Sequence, residues 1–176
     1  MNTKILLNSG NYFDFADVEN AQLGIEDIAH GLSMNCRYTG QCKFFYSIAE
    51  HSYHVSKNLP KELAMVGLLH DASESVMSDM VRPLKNIMPE YKAMEERIER
   101  RIAEIYGIPF PYPPQVKVAD LRMYSTERLV LFANTYNKDG VHPENEPYDH
   151  VEIKGWHPET GKHMFLTRFY ELTHNV

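Results

Sequence analysis

Leu63-Ala64-Met65-Val66-Gly67-Leu68-Leu69 is apolar nearly all round, and it runs directly into His70-Asp71. A helix without a polar face is stable only inside a body of other elements, so this segment predicts a buried central helix. Polar side chains at the end of such a helix are costly to bury without partners. His70 and Asp71 are followed closely by Glu74 and Asp79. Helical neighbours diverge by about 100°, whereas i+3 and i+4 return to one side. Glu74 therefore projects between His70 and Asp71 one turn on. An imidazole and two carboxylates converging there predict a metal site with an acid/base group beside it.

The surrounding pattern is helical. Ile25, Ile28, Ala29 and Leu32 form one stripe. Ser47 with Glu50 reads as a capping box, and Ile48, Ser52, Val55 and Leu59 continue its inward face. Pro60 suits the first position of the buried helix, and Pro89 opens another with the stripe Tyr91, Met94, Ile98, Ile102 and Ile105, closed by Gly107 and Pro109. Phe110-Pro111-Tyr112-Pro113-Pro114 reads as a rigid connector. A long helix is predicted over Val116–Tyr136, then a polar loop through Asp149, then a final helix from Met164, Phe165, Phe169 and Leu172 after Trp156. Ile5–Asn8 and Tyr12–Phe15 flank Ser9-Gly10-Asn11 as a small N-terminal hairpin. The predicted class is all-α with a minor β-hairpin, in one domain over residues 1–176.

The net charge of −6 argues against a phosphate-tracking surface for DNA or RNA, but leaves room for a local cationic pocket. No apolar run is long enough to span a bilayer, and Met1–Leu7 lacks the apolar length and cleavage site of a secretory signal. The chain reads as cytoplasmic. Cys36 and Cys42 then read as buried thiols in a reducing compartment; a zinc site joining them to His30 is conceivable, but no paired C-x-x-C supports it.

His51 is the best additional ligand, because it lies within about 60° of the core-facing Ile48 on its helix, while His54 falls further toward solvent. A single His on an apolar face is usually a hydrogen-bonded core residue; the nearby His-Asp pair tips this one toward ligation. Glu50 is accounted for by the capping box. Asp120, flanked by Ala119 and Leu121, is either a helix-dipole partner or a ligand, and spacing leaves both open. Glu127 shares its face, as a support for the ligands or a plain surface acid. Arg37 and Lys85 are either solvated charges or clamps for phosphate oxygens. Tyr38 either stacks on a base or merely packs.

His51, His70-Asp71 and Asp120 follow the ligand order of the HD-domain metal-dependent phosphohydrolases, which the chain resembles. His-Asp-Ala-Ser-Glu, Asp79 and Arg82-Pro83-Leu84-Lys85 are similar to the 5′-deoxynucleotidase branch. Ile25–His30 and Phe45–Ser52 also resemble phage-borne and bacterial HD hydrolases, with likeness over residues 24–130 and in the tail from Trp156 to Leu172. The resemblance implies an HD-type helical bundle with His51, His70, Asp71 and Asp120 as metal ligands. It implies Glu74 and Asp79 as catalytic carboxylates, and Arg37 and Lys85 near the phosphate, with Tyr38 beside them. Gln41 stands where members of the branch often carry His, which leaves a substrate contact there open. No second, His-rich motif of the binuclear HD class follows.

The expected activity is hydrolysis of deoxynucleoside 5′-monophosphates to nucleoside and phosphate, with one divalent ion (Mn, Co, Fe, Ni or Zn). The alternative is a triphosphohydrolase that releases intact triphosphate, for which Lys43 and Arg82 are further candidate contacts. A nucleotide sensor without turnover and a metal-stabilised scaffold for a protein partner are the non-enzyme readings. Expected partners are a small deoxynucleotide and further copies of the chain, with neither nucleic-acid polymer nor membrane.

Overall fold

Residues 2–132 and 145–174 are described by a computed structural model, whose elements form an all-α body with a small N-terminal hairpin. Strands β1 (Lys4–Leu6) and β2 (Tyr12–Asp14) pair antiparallel, with Lys4 opposite Asp14 and Leu6 opposite Tyr12. The helices are α1 (Ile25–Met34), α2 (Ile48–Lys57), α3 (Lys61–Leu69), α4 (Glu74–Met77), α5 (Arg82–Lys85), α6 (Pro89–Tyr106), α7 (Pro114–Leu131) and α8 (Pro158–His174). Among the described residues, no helix is long and apolar enough to cross a membrane.

The apolar stripes dictate the packing. Ile28, Ala29 and Leu32 of α1, Ile48 and Ala49 of α2, Leu68 and Leu69 of α3, Ile98 and Ile102 of α6, and Phe165 of α8 are buried in one cluster. Burial of each such large side chain contributes roughly 1.5–3 kcal/mol. Helix α2 packs on α1, α3, α7 and α8, and α3 also meets α7 and α8, so this pair lies at the centre. Gly107, left-handed at φ 63°, ends α6. Gly31 lets α1 approach the chain at α4 so closely that a Cβ on it would lie 2.4 Å from the Ser75 carbonyl oxygen. Arg168 of α8 donates from Nε to Ser56 Oγ on α2 at 3.0 Å.

Four expectations need correction. Helix α3 stops at Leu69, and His70–Ser73 form tight turns before α4. Ala72 N–H donates to Leu69 O at 3.0 Å and Glu74 N–H to Asp71 O at 3.0 Å, an i→i+3 pattern that winds the chain more tightly than an α-helix. The capping box is half formed: Ser47 Oγ accepts the Glu50 N–H at 3.1 Å. The Glu50 carboxylate instead accepts the N–H groups of Lys154 (2.7 Å), Gly155 (3.1 Å) and Trp156 (2.6 Å), pinning the approach to α8 onto α2. His54 is buried, its ring stacked on Trp156 at 5.7 Å between centroids, because that pinned segment covers it. The helix foreseen to Tyr136 ends at Leu131, and its residues 133–136 lie outside the described residues.

Candidate metal centre

Three helices deliver side chains to one point. His51 comes from α2, His70 and Asp71 from the end of α3, and Asp120 from α7. His51 Nε2 lies 3.4 Å from His70 Nε2 and 3.3 Å from Asp120 Oδ1, while His70 Nε2 is 3.9 Å from the same oxygen. A tetrahedral site with bonds of about 2.1 Å has ligand–ligand edges of about 3.4 Å, so the three atoms approximate one face of such a polyhedron, with the His70–Asp120 edge longer at 3.9 Å. Asp71 flanks them, with Oδ1 3.3 Å from His70 Nε2 and Oδ2 3.4 Å from His51 Nε2. His51, His70 and Asp120 form the group that could hold a metal ion.

The opposite ring nitrogens are occupied. His51 Nδ1 donates to Glu127 Oε1 at 2.5 Å, and His70 Nδ1 donates to Gly67 O at 2.9 Å. Each bond fixes the ring and leaves Nε2 turned inward, the arrangement that histidine metal ligands need. Burial opposes charge on both imidazoles, but Asp71 and Asp120 outweigh it at His70 and hold its pKa well above the ordinary value. Burial likewise opposes ionisation of Asp120, yet hydrogen bonds from His51 and His70 hold that carboxyl well below the usual range. Two ionised acids facing two imidazoles make this point favourable for positive charge, which a divalent cation satisfies on replacing protons.

Glu127 is the organiser that the sequence left as one of two possibilities. It is fully buried, and it accepts from Tyr46 Oη at 2.9 Å and from the Tyr38 hydroxyl, with Arg37 Nε 3.3 Å away. Arg37 also reaches Asp71 Oδ2 through Nη1 at 3.4 Å. Tyr38 and Thr39 sit in the left-handed region at φ 58° and 51°, a conformation costing about 1–3 kcal/mol each for non-glycine residues. The Glu127 bond to the Tyr38 ring and the 3.3 Å bond from Tyr38 N–H to Asp79 Oδ2 hold the turn there. With its hydroxyl engaged and its ring edge-on to Phe132 at 5.0 Å, Tyr38 packs as a wall of the pocket.

The centre opens into a cavity of about 570 Å³. Its lining brings together Arg37, Tyr38, Asp71, Glu74, Asp79, Lys85 and Asp120, with Gln41 and Arg82. His51 and His70 are buried and do not line it. Lys85 Nζ is 2.6 Å from Glu95 Oε1 and 3.8 Å from Glu74 Oε1. Glu74 is buried with Oε2 unpartnered; burial, then Asp71 and Asp79, push its carboxyl well above the ordinary value. Lys43 is not among the lining residues, its Nζ donating to Val130 O at 3.1 Å. Lys117, Tyr124 and Arg128 also line the cavity and were missed, although their spacing of −3, +4 and +8 from Asp120 on α7 places all of them on its face. Among the described residues, no metal-competent group joins Cys36 and Cys42 to His30, and both thiols are half-buried rather than buried.

A family model described as 5′-deoxynucleotidase YfbR-like matches residues 39–111, a span that contains His51, His70, Asp71, Glu74, Asp79 and Lys85. The chain is 36% identical over 169 residues to the uncharacterized protein YfdR of Escherichia coli (strain K12), covering 94% of this chain and 93% of that protein. It is 33% identical over 121 residues to an uncharacterized protein of Rhodobacter capsulatus, covering 63% of this chain and 62% of that one.

Proposed function

Given that the chain belongs to the YfbR-like family of HD-domain hydrolases, we propose that it is a metal-dependent phosphohydrolase that cleaves the 5′-phosphate ester of deoxynucleoside monophosphates. One observation carries the reading: two inward Nε2 atoms and Asp120 meet at the base of a cavity whose walls hold Arg37 and Lys85. The volume of about 570 Å³ falls within the roughly 300–1,000 Å³ of small-molecule sites.

His51, His70, Asp71 and Asp120 would hold the ion, which supplies Lewis acidity at the phosphate. The mixed imidazole–carboxylate set suits Mn, Co, Fe, Ni or Zn. Arg37 and Lys85 offset charge that builds on the phosphate oxygens. Burial, then Asp71 and Asp79, hold the Glu74 carboxyl well above its ordinary value, which suits it to pass a proton to the departing 5′ oxygen. Asp79 orients the incoming water and fixes the Tyr38 turn through the backbone N–H.

A second reading is favoured by Arg82, Lys117 and Arg128, which add cationic lining beyond the two phosphate clamps. These could take the tail of a deoxynucleoside triphosphate, released intact. The test is direct identification of the inorganic product from a panel of deoxynucleotides with each divalent ion, without a coupling phosphatase. Orthophosphate from monophosphates, abolished by chelator and in His70→Ala and Asp71→Ala, is the expected result. Intact triphosphate with no turnover of monophosphates would establish the second reading, and binding without any product would make the protein a sensor.

A further inference from the structure

We propose that Cys36 and Cys42 form a thiol–disulfide exchange site, oxidised by low-molecular-weight disulfides, that governs the position of Arg37 and Tyr38. The two sulfurs lie 3.7 Å apart, and both residues are half-buried, open enough for a small disulfide to reach. They are the only two cysteines of the chain, so an internal bond has one possible pairing. The loop between them runs through the left-handed Tyr38, Thr39 and Gly40, which curl the chain back and bring the sulfurs together. Its base is held by a bridge between Cys36 and Ser47 and by the Arg37 N–H bond to Tyr46 O at 2.9 Å.

The two thiols differ. Cys42 Sγ donates to Phe44 O at 3.1 Å, and burial together with Cys36 pushes its pKa up to about 11. The thiolate is the attacking form, and the Phe44 carbonyl holds the proton on Cys42, so Cys36 is the entering nucleophile and Cys42 the resolving one. Cys36 Sγ attacks one sulfur of a disulfide RSSR, breaking the S–S bond, forming Cys36–S–S–R and expelling RS⁻. Cys42 Sγ then attacks Cys36 Sγ, forming the internal bond and expelling the second RS⁻. The two thiol protons pass to the departing thiolates, so the protein dithiol is oxidised and RSSR is reduced to two RSH. A disulfide bond is about 2.05 Å long, so closure must draw the loop inward. Arg37, next to Cys36, then shifts against Asp71 and Glu127, and Tyr38 shifts against Asp79.

The kinetic part rests on the proposed hydrolase activity; the exchange part does not. Purified protein is equilibrated with oxidised and reduced glutathione at graded ratios, then assayed by thiol count, peptide mass and deoxynucleotide turnover. The expected result is loss of two hydrogens across Cys36 and Cys42, with kcat/KM falling about 10- to 100-fold as the Arg37 clamp is misplaced. Dithiothreitol should restore it; Cys36→Ser should keep the reduced-state rate and ignore the ratio, and Cys42→Ser should keep the reduced-state rate but stop at a Cys36–glutathione adduct. In the wild type, a stable glutathione adduct without internal closure, or a disulfide that leaves kcat/KM unchanged, overturns the proposal. A reduced protein that turns over no deoxynucleotide overturns the hydrolase reading instead, while thiol count and peptide mass still report exchange.

Discussion

Glu127 Oε1 lies 2.5 Å from His51 Nδ1, and both residues are fully buried. The same carboxylate binds two tyrosine hydroxyls and faces Arg37, so one acid on α7 aligns a candidate ligand on α2 and a candidate phosphate clamp in the loop after α1. Glu127→Gln should weaken divalent metal affinity about 10- to 100-fold while the fold persists. Glu127→Ala should in addition destabilise by about 3–5 kcal/mol, since Arg37 loses a buried partner. Metal titration calorimetry and urea unfolding check the two; unchanged metal affinity in Glu127→Gln would refute the positioning role.

Glu74 lines the cavity beside the centre but lies outside the group of side chains that could hold the ion. Glu74→Gln keeps its shape and removes its ionisable proton, so kcat should fall about 10²-fold or more. Metal content, measured by elemental analysis, should stay at the wild-type value. Metal loss in this variant would make Glu74 a ligand.

Glu50 has a different task, accepting three consecutive backbone N–H groups from Lys154 to Trp156. Charge-assisted bonds of this kind contribute about 1.5–3 kcal/mol each. Glu50→Gln should lower the unfolding free energy by about 2–3 kcal/mol and leave metal stoichiometry intact. Hydrogen exchange should rise selectively at 154–156; uniform exchange along the chain would contradict the pinning role.

Glu99 on α6 gives a pH signature. Burial, then Glu95 and Asp71, push its carboxyl from 4.5 up to about 7. Below about pH 4.5 folded and unfolded states both hold the proton, and no cost arises. As pH rises through 7 the native group ionises against its surroundings, and the stability it contributed is lost. Glu99→Gln should match wild type near pH 4.5 and exceed it by about 1–2 kcal/mol at pH 8, a figure discounted for partial solvent screening. Denaturant midpoints at both pH values test this; an equal offset at the two would rule it out.

Much of this molecule is legible in its amino-acid sequence. The stripes of α1, α6 and α8 announce their buried faces through 3.6-residue spacing, and the unbroken apolar run of α3 announces a central helix; the structure brings His51, His70, Asp71 and Asp120 close together. What escaped depends on distance along the chain. Glu50 looked satisfied by Ser47, three residues away, yet its partners lie over a hundred residues on, where no local pattern points. Glu127 read as ambiguous because burial of an acid is a property of its neighbours, in this case Arg37 and two tyrosines. The break after Leu69 is invisible to periodicity, since a tight turn preserves nearly the same side-chain spacing.

Gly31 lines no part of the cavity, yet its bare Cα rests against the carbonyl of Ser75, next to Glu74. Any larger residue there acts as a wedge, with the acid-bearing turn as the part that yields. A screen for altered turnover confined to cavity walls would therefore overlook a control point on the face of α1 that meets α4, where one methyl group is a mechanical input to the chemistry.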